Sequence, residues 1–411
     1  MIGVVIAVWI VAALSVLGAI YWAIVGWRVR RDGANRPSLR EGLAGSLDRW
    51  PAVSVIVPAH NEESHAPDLL KSLLAQDYAG DLEVIFVLDR CTDESHAILA
   101  RVIAADAAAN VRPCHVRLID NTHCPDDWAG KCFAAHQGAQ QAQGEILLFT
   151  DADTTFDPAL VRASVRLLVD RKLALLSALS TVSVRHGFEA IVQPAAALQL
   201  MKQYPISRVN DPDEPRPFAN GQFMMFTRES YDALGGHGAV KDALLEDLAF
   251  ARRMVTVLKR KAGLFIADGL LRVRMYESYE QFCEGWKRIF IEASHRNPTR
   301  LVRYGWECLL VGAGVSAIGV LAVILGFLGW VMGDLPLGIA GILTGSIALL
   351  IQQLVLRRIF QLVGVPRIAA IAYPFAALAV ARIQWRGAHD LRSGQPVRWG
   401  GRSYVLQPTR R

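Results

Sequence analysis

Phosphate-cradling glycine signatures are missing from this 411-residue chain: no GxGxxG follows its first apolar strand, and no GxxxxGK(S/T) occurs anywhere. A Rossmann dehydrogenase or a P-loop NTPase therefore lacks its anchor. Cysteine is sparse. The six residues Cys91, Cys114, Cys124, Cys132, Cys283 and Cys308 form no CxxC pair and no His/Cys ligand spacing, which argues against structural zinc or a disulfide framework and for reduced thiols. Charge is modest at 20%, and the net +6 sits largely beside apolar segments and at the C-terminus. That placement suits anionic lipid headgroups better than nucleic acid.

What the chain has in excess is apolar sequence: 52% hydrophobic residues and a mean hydropathy of +0.26. The excess is uneven. Ile2 to Trp27 is uncharged, about 26 residues and enough to cross a hydrocarbon core of about 30 Å. It lacks a basic n-region and is followed by Arg28, Arg30 and Arg31, so it reads as an uncleaved anchor with its C-terminal end in the cytoplasm. Cys308 to Gly333 and Leu335 to Leu356 are two further uncharged runs separated by little more than Asp334, the pattern of a transmembrane hairpin. Ile368 to Ala381 contains Pro374 and is bracketed by Arg367 and Arg382. At about 14 residues it suits a re-entrant or interfacial segment better than a simple span.

These features divide the chain into an anchor (1–27), a basic linker (28–50), a cytoplasmic catalytic domain (51–277), an amphipathic interface helix region (278–306), a membrane hairpin with a re-entrant or third segment (307–384), and a basic cytoplasmic tail (385–411). The expected location is a bacterial-type inner membrane, multi-pass. Within 278–306, Tyr279, Phe282, Trp286, Ile289 and Phe290 share one helical face, suited either to the membrane interface or to the domain core.

From Val53 onward, short apolar strands alternate with helical periods. Strands are expected at Val53–Pro58, Glu83–Asp89, Cys114–Ile119 and Glu145–Thr150, with helices at Pro67–Gln76, Glu94–Ala109 and Lys131–Gln143. The predicted class is α/β: a mixed, largely parallel sheet flanked by helices. Ligands bind such sheets at the carboxyl ends of the strands, where His60, Asn61, Glu62, Asp89, Asp151 and Asp153 fall.

Asp151-Ala152-Asp153 closes the fourth strand. Two carboxylates one residue apart would share a hard cation, Mg2+ or Mn2+, with phosphate oxygens completing its shell; the bland alternative is a turn that caps a helix. Leu245-Glu246-Asp247 precedes a helix. Its acids either favour the helix N-terminus or supply a general base for an acceptor hydroxyl.

Val55-Ile56-Val57-Pro58-Ala59-His60-Asn61-Glu62-Glu63, Val87-Leu88-Asp89-Arg90-Cys91-Thr92-Asp93-Glu94-Ser95, the DxD and Glu246-Asp247 together resemble family 2 glycosyltransferases with a GT-A fold. Further likeness to the hopene-associated and diaponeurosporenoate (carotenoid) glycosyltransferases lies in Asp127-Trp128-Ala129-Gly130-Lys131, Phe218-Ala219-Asn220-Gly221-Gln222-Phe223, Ala233 to His237, Met275 to Ser278 and Val397 to Tyr404. The resemblance implies inverting, metal-dependent transfer of a sugar from a nucleotide-sugar donor, such as a UDP-sugar, to a membrane lipid. It assigns Pro58, Ala59, Asn61, Glu62, Asp89, Lys131 and Asp151 to the donor, Asp151 and Asp153 to the metal, and Asp247 with Glu246 to catalysis. Asn220, Gly221, Gln222, His237 and Trp286 fall on the acceptor side. For Lys131 a helix-start role, and for Asn220, Gln222 and His237 a turn role, are the structural alternatives. The QxxRW of processive members is not satisfied, since Gln281 is followed by Phe282-Cys283-Glu284-Gly285. A processive polysaccharide synthase, or a non-catalytic scaffold that binds nucleotide sugar, are the rival readings.

Overall fold

The computed structural model describes residues 2–34, 36–108, 114–182, 184–211, 213, 215–274, 276–399 and 402–409. Met275, Gly400 and Gly401, which carry part of the family resemblance, lie outside them, as do Met1, Ala109 and the last two residues of the tail.

Helix α1 (Ile2–Ala34) leads into the α/β domain. There, β1 (Val53–Ala59), α2 (Ala66–Leu74), β2 (Leu82–Asp89), α3 (Ser95–Ala108), β3 (His115–Asn121), α4 (Gly130–Gln141) and β4 (Ile146–Phe149) follow in turn, within a few residues of the sequence expectation. Val55, Ile56 and Val57 are fully buried, about 1.5–3 kcal/mol of apolar transfer each. A continuous apolar run is what a parallel strand covered on both faces requires.

The elements that follow are less regular. They are β5 (Thr154–Phe156), α5 (Leu160–Asp170), β6 (Leu175–Leu179), β7 (Thr181–Val182), α6 (Gly187–Gln203), α7 (Ile206–Val209), β8 (Met224–Thr227), α8 (Arg228–Ala233), α9 (Glu246–Thr256), β9 (Ala262–Ile266) and β10 (Leu271–Val273). Among the described residues seven strands make one sheet, in the order β3-β2-β1-β4-β8-β6-β9. All neighbours are parallel except β8, which runs antiparallel to both β4 and β6. A second, three-stranded sheet, β5-β10-β7, lies immediately after the DxD.

Beyond it come α10 (Tyr279–Ala293), α11 (Pro298–Glu307), a π-helical stretch Cys308–Gly314, α12 (Val315–Val331), α13 (Leu335–Val363), α14 (Tyr373–Ser393) and a hairpin of β11 (Val397–Trp399) with β12 (Arg402–Tyr404). In the π-helical stretch, the carbonyl of Val311 accepts the Trp22 indole N–H at 2.9 Å and that of Gly312 accepts the Gln352 amide at 3.0 Å. Glycine permits the close α12–α13 contact: a Cβ on Gly326 would lie 2.6 Å from the Ile342 nitrogen.

Among the described residues four helical stretches are long and apolar enough to cross a membrane by length and composition: Val5–Arg31, Pro298–Val331, Leu335–Val363 and Arg367–Ser393. Their contacts set their relative levels. Gly18 abuts Val315 and Gly26 abuts Val355, so α1 runs alongside α12 and α13 with Arg28 level with Arg358. The chain after α13 turns back until Gln353 donates to the Ala370 carbonyl (3.4 Å) and Tyr373 stacks edge-on against Trp22. From there α14 returns along α11 to the α/β domain, with Trp385 against Gly305 and Gly387 against Ile291. Its first turn is level with Gly312, and α12 continues about 28 Å past that point.

Of the two readings of the α10 aromatic face, burial favours the core: Phe282, Trp286 and Phe290 are buried, packed with α6 and α14. The Trp286 indole donates to Gln193 at 3.0 Å. Lys287, on the polar side, is buried too, pairing with Asp390 at 2.8 Å and Glu284 at 2.6 Å. Both faces of α10 are covered because α14 folds back over it, a tertiary contact the helical period does not encode.

Candidate active site

Strands β1, β2 and β4 end at one edge, and their loops are tied together there. Asn61 (φ 55°) and Arg90 (φ 51°) both adopt the left-handed region, which costs a non-glycine residue about 1 kcal/mol or more. The Asn61 amide donates to the Thr92 hydroxyl (3.2 Å), and the Thr92 N–H donates back to Asn61 Oδ1 (2.8 Å). The Glu62 N–H donates to the Ser95 hydroxyl (3.0 Å). In this structure Asn61 and Glu62 clasp the two loops, and Pro58 and Ala59 form the strand end behind them. Asp89 is buried; Arg90 donates to both its oxygens (3.1 and 2.5 Å) and Asn121 adds a third bond (2.8 Å).

The centre of the site is Lys131. Helix α4 starts at Gly130 and puts the Lys131 ammonium 2.7 Å from Asp151 and 2.6 Å from Glu246. The DxD and the second acidic pair, 95 positions apart in sequence, thus meet on one cation. Although burial opposes it, Lys131 is held protonated well above the usual ammonium range by these carboxylates. Glu246, buried as it is, is held below the usual carboxylate range by Lys131. Asp247, at the N-terminus of α9, accepts from the Gly221 N–H (2.7 Å) and the Leu248 N–H (2.6 Å). Burial and the adjacent Glu246 push its carboxyl up to about 7. Gly221 lets the backbone close on this cluster: a Cβ there would lie 3.1 Å from Lys131 Nζ and 3.3 Å from both Asp247 and Glu246, so a side chain would press the charged groups apart by a few tenths of an ångström.

Asp153 sits two residues beyond Asp151, with its Oδ1 buried and without a hydrogen-bond partner. Burial, then the charges of Asp151 and Glu62, push its carboxyl up to about 8. Among the described residues no group of three or more His, Cys, Asp or Glu side chains is arranged to hold a metal ion. The donor set still fits a hard divalent cation that takes one or two carboxylates and fills its shell from a diphosphate and water. Asp153 would supply the free oxygen, whereas Asp151 is engaged by Lys131.

On the other side of the Lys131 bridge lies a cavity of about 1630 Å³. Lys131, Asp151, Glu246 and Asp247 line its inner end, and Asn220, Gly221, Gln222 and Trp286 line its wall. Asn220 and Gln222 also brace that wall: Asn220 donates to the Ala178 carbonyl (3.1 Å) and to Gln222 Oε1 (3.0 Å), which also accepts from Ser180. The cavity continues between α6, α10 and α11 to Tyr21, Ile24, Val25 and Arg28 of α1 and to Arg358, Ile359 and Leu362 of α13.

His237 is not among the lining residues. It is 1% exposed, shares a 2.8 Å hydrogen bond with Tyr231, packs on Phe149 and Phe250, and is pushed down to about 3 by burial. It is a neutral core histidine, not a gate at the acceptor. Arg288 and Tyr276, by contrast, line the cavity; the sequence placed Tyr276 in a family-like motif but assigned neither residue to the site. Arg288 donates to the Leu244 carbonyl (3.2 Å), and its charge reaches Asp151. Its place two residues after Trp286, on the α10 edge toward the site, was the available signal.

Residues 54–235 match the family described as Glycosyl transferase family 2. This segment is a family 2 glycosyltransferase domain. It holds Asp89, Lys131, Asp151, Asp153 and Asn220 to Gln222, and ends before Glu246 and Asp247. The chain is 29% identical over 250 residues to 4,4'-diaponeurosporenoate glycosyltransferase of Staphylococcus aureus, covering 58% of this chain. It spans about 60% of the length of the curated relatives it matches. Among solved structures it is similar to a mannosyltransferase from Pyrobaculum calidifontis in complex with GDP-Man and Mn2+, at a TM-score of 0.47 and 19% identity, covering 90% of this chain and 99% of the other. It is also similar to glucosyl-3-phosphoglycerate synthase from Mycobacterium tuberculosis, solved with Mn2+, UDP-glucose and phosphoglyceric acid, at a TM-score of 0.39 and 18% identity, covering 62% and 82%.

Proposed function

We propose that the protein transfers a sugar from a nucleotide-sugar donor to a membrane lipid, with inversion at the anomeric carbon. The observation that carries this reading is the cavity that runs from Asp247 and Lys131 to the apolar helices α1 and α13. A polar acceptor in solution has no need of such a passage, whereas a lipid reaches the carboxylates through it without leaving the bilayer. Helices α1, α12 and α13 then cross the membrane, and α14 re-enters and leaves on the cytoplasmic side, where the catalytic domain lies.

Asp247 is the base in this scheme. It takes the acceptor hydroxyl proton as the oxygen bonds to the anomeric carbon, while the bond to the donor phosphate breaks and its electron pair leaves with the diphosphate. A carboxyl near 7 suits that task, because a base works best when its pKa lies close to the operating pH. Since the deprotonated form acts, transfer rises as pH increases through about 7. Lys131 orients Asp151 and Glu246 and sets positive charge beside the leaving group. A divalent cation on Asp153 would neutralise charge developing on the diphosphate.

The test is the purified protein in nanodiscs with a panel of UDP- and GDP-sugars, Mn2+ or Mg2+ and extracted lipids, read by lipid mass spectrometry. A glycosylated lipid that disappears in Asp247→Asn, in a protein that still binds donor, supports the reading. A ladder of polymer products, or no donor turnover by the wild type under any combination, overturns it.

A further inference from the structure

The charges along the cavity are not balanced evenly. At its catalytic end each carboxylate is engaged: Asp151 and Glu246 by Lys131, Asp247 by two backbone N–H groups. Midway, Lys202 is neutralised by Glu307 at 3.0 Å. At the membrane end the balance fails. Arg28 of α1, Arg300 of α11 and Arg358 of α13 all line the same cavity, and among the described residues no carboxylate pairs with any of them. The contact of Gly26 with Val355 sets Arg28 and Arg358 at one level on adjacent helices. One turn deeper on the same face of α1, Ile24 and Val25 continue the lining as apolar surface; Tyr21, two turns deeper, accepts from the Lys202 ammonium at 2.7 Å.

Apolar wall followed, one helical turn later, by guanidinium groups from three helices is the order of a phospholipid: acyl chain, then phosphate. No carboxylate among the described residues neutralises these groups, and Arg358 donates to the neutral Gln361 amide at 3.2 Å. We propose that the membrane end of the cavity is a binding site for an anionic phospholipid, its headgroup phosphate held by Arg28, Arg300 and Arg358 and its acyl chain lying along Ile24 and Val25. Guanidinium is the side chain best matched to phosphate, by its fixed fork of donors. Basic residues at a membrane surface add about 1 kcal/mol each toward anionic lipid, so three give a preference of about 100-fold. The site rests on the proposed membrane placement of α1 and α13 and flanks the route proposed for the acceptor, but it does not depend on sugar transfer itself, so lipid retention and transfer are read separately.

The experiment is native mass spectrometry of the full chain from mixed micelles containing equal phosphatidylglycerol and phosphatidylcholine, with soluble glycerol phosphate as a separate competitor. Wild type is expected to retain phosphatidylglycerol selectively. The triple variant Arg28→Gln, Arg300→Gln, Arg358→Gln should lose that preference about 100-fold, with unchanged circular dichroism and a single gel-filtration peak. Arg260→Gln, which breaks a surface pair with Glu229, should not alter it. If the triple variant is misfolded, each single substitution is read instead, with a loss of about fivefold expected. Equal retention of phosphatidylcholine by wild type, retention unaffected by removing the arginines, or full displacement by glycerol phosphate overturns the proposal; the last would mark a free-phosphate site.

Discussion

Replacing Lys131 with methionine isolates the one cation that joins both acidic pairs. Its Glu246 arm, 2.6 Å long with the carboxylate side chain 3% exposed, is a buried pair, and removing one partner of such a pair costs about 3–5 kcal/mol. The Asp151 arm, with that carboxylate 30% exposed, adds only about 0–1 kcal/mol after solvent screening. Protonation caps the penalty: keeping a proton on a carboxyl of ordinary pKa near 4.3 costs about 1.4 kcal/mol per pH unit above it, hence about 2 kcal/mol at pH 6 and about 5 at pH 8. In the wild type Glu246 is depressed, so its stabilisation is present above the unfolded pKa and lost as pH falls through the folded one. Lys131→Met should therefore lower the thermal unfolding midpoint in detergent more at pH 8 than at pH 6. Its transfer rate should also peak at higher pH, because Asp247 loses the cation that restrains its rise. Equal losses of midpoint at the two pH values, together with an unmoved pH profile, would refute the bridge.

Asp153→Ala should abolish the Mn2+-stimulated part of donor turnover. In the wild type the half-saturating Mn2+ concentration should fall as pH rises toward about 8, since a cation on Asp153 displaces its proton; a pH-independent value would place the metal elsewhere. His237→Phe should leave transfer within about threefold of wild type and cost about 1–2 kcal/mol of stability for the lost Tyr231 hydrogen bond. A large fall in kcat with a stable fold would return His237 to the site.

The sheet through β4 is legible because its strands are continuous apolar runs bounded by turns, as at Val53–Pro58 and Ile146–Phe149. The antiparallel β8 was not foreseen. Its four residues Met224–Thr227 carry no period that separates them from a helix segment, and only pairing with β4 and β6 defines them. Asp151, Asp153 and Glu246-Asp247 stood out as acids at element ends. That Lys131 joins them is long-range geometry, and no local spacing announces it. The aromatic stripe of α10 shows the same limit from the other side. Periodicity finds the apolar face, but whether lipid or α14 covers it depends on where the chain returns after α13.

Asp89 is where the family resemblance and the geometry pull hardest against each other. Its carboxylate is the expected nucleotide contact, yet both oxygens are engaged by Arg90 and Asn121. The neighbouring helix start couples this corner to the bridge: a Cβ on Gly130 would lie 2.9 Å from Arg90 Nη2 and 3.2 Å from Asp89 Oδ2, and the next residue is Lys131. A donor that draws on Asp89 must loosen Arg90, and the adjustment reaches Lys131 through a single peptide. Gly130→Ala wedges a methyl against the pair without touching the acceptor cavity. Its expected signature is a rise of about tenfold in donor KM with acceptor KM unchanged, the size of one disturbed charge-assisted contact. Unaltered donor KM would mean that the nucleotide does not use this corner, leaving Asp89 and Arg90 as a buried structural pair and the donor held from the Lys131 and Asp153 side alone.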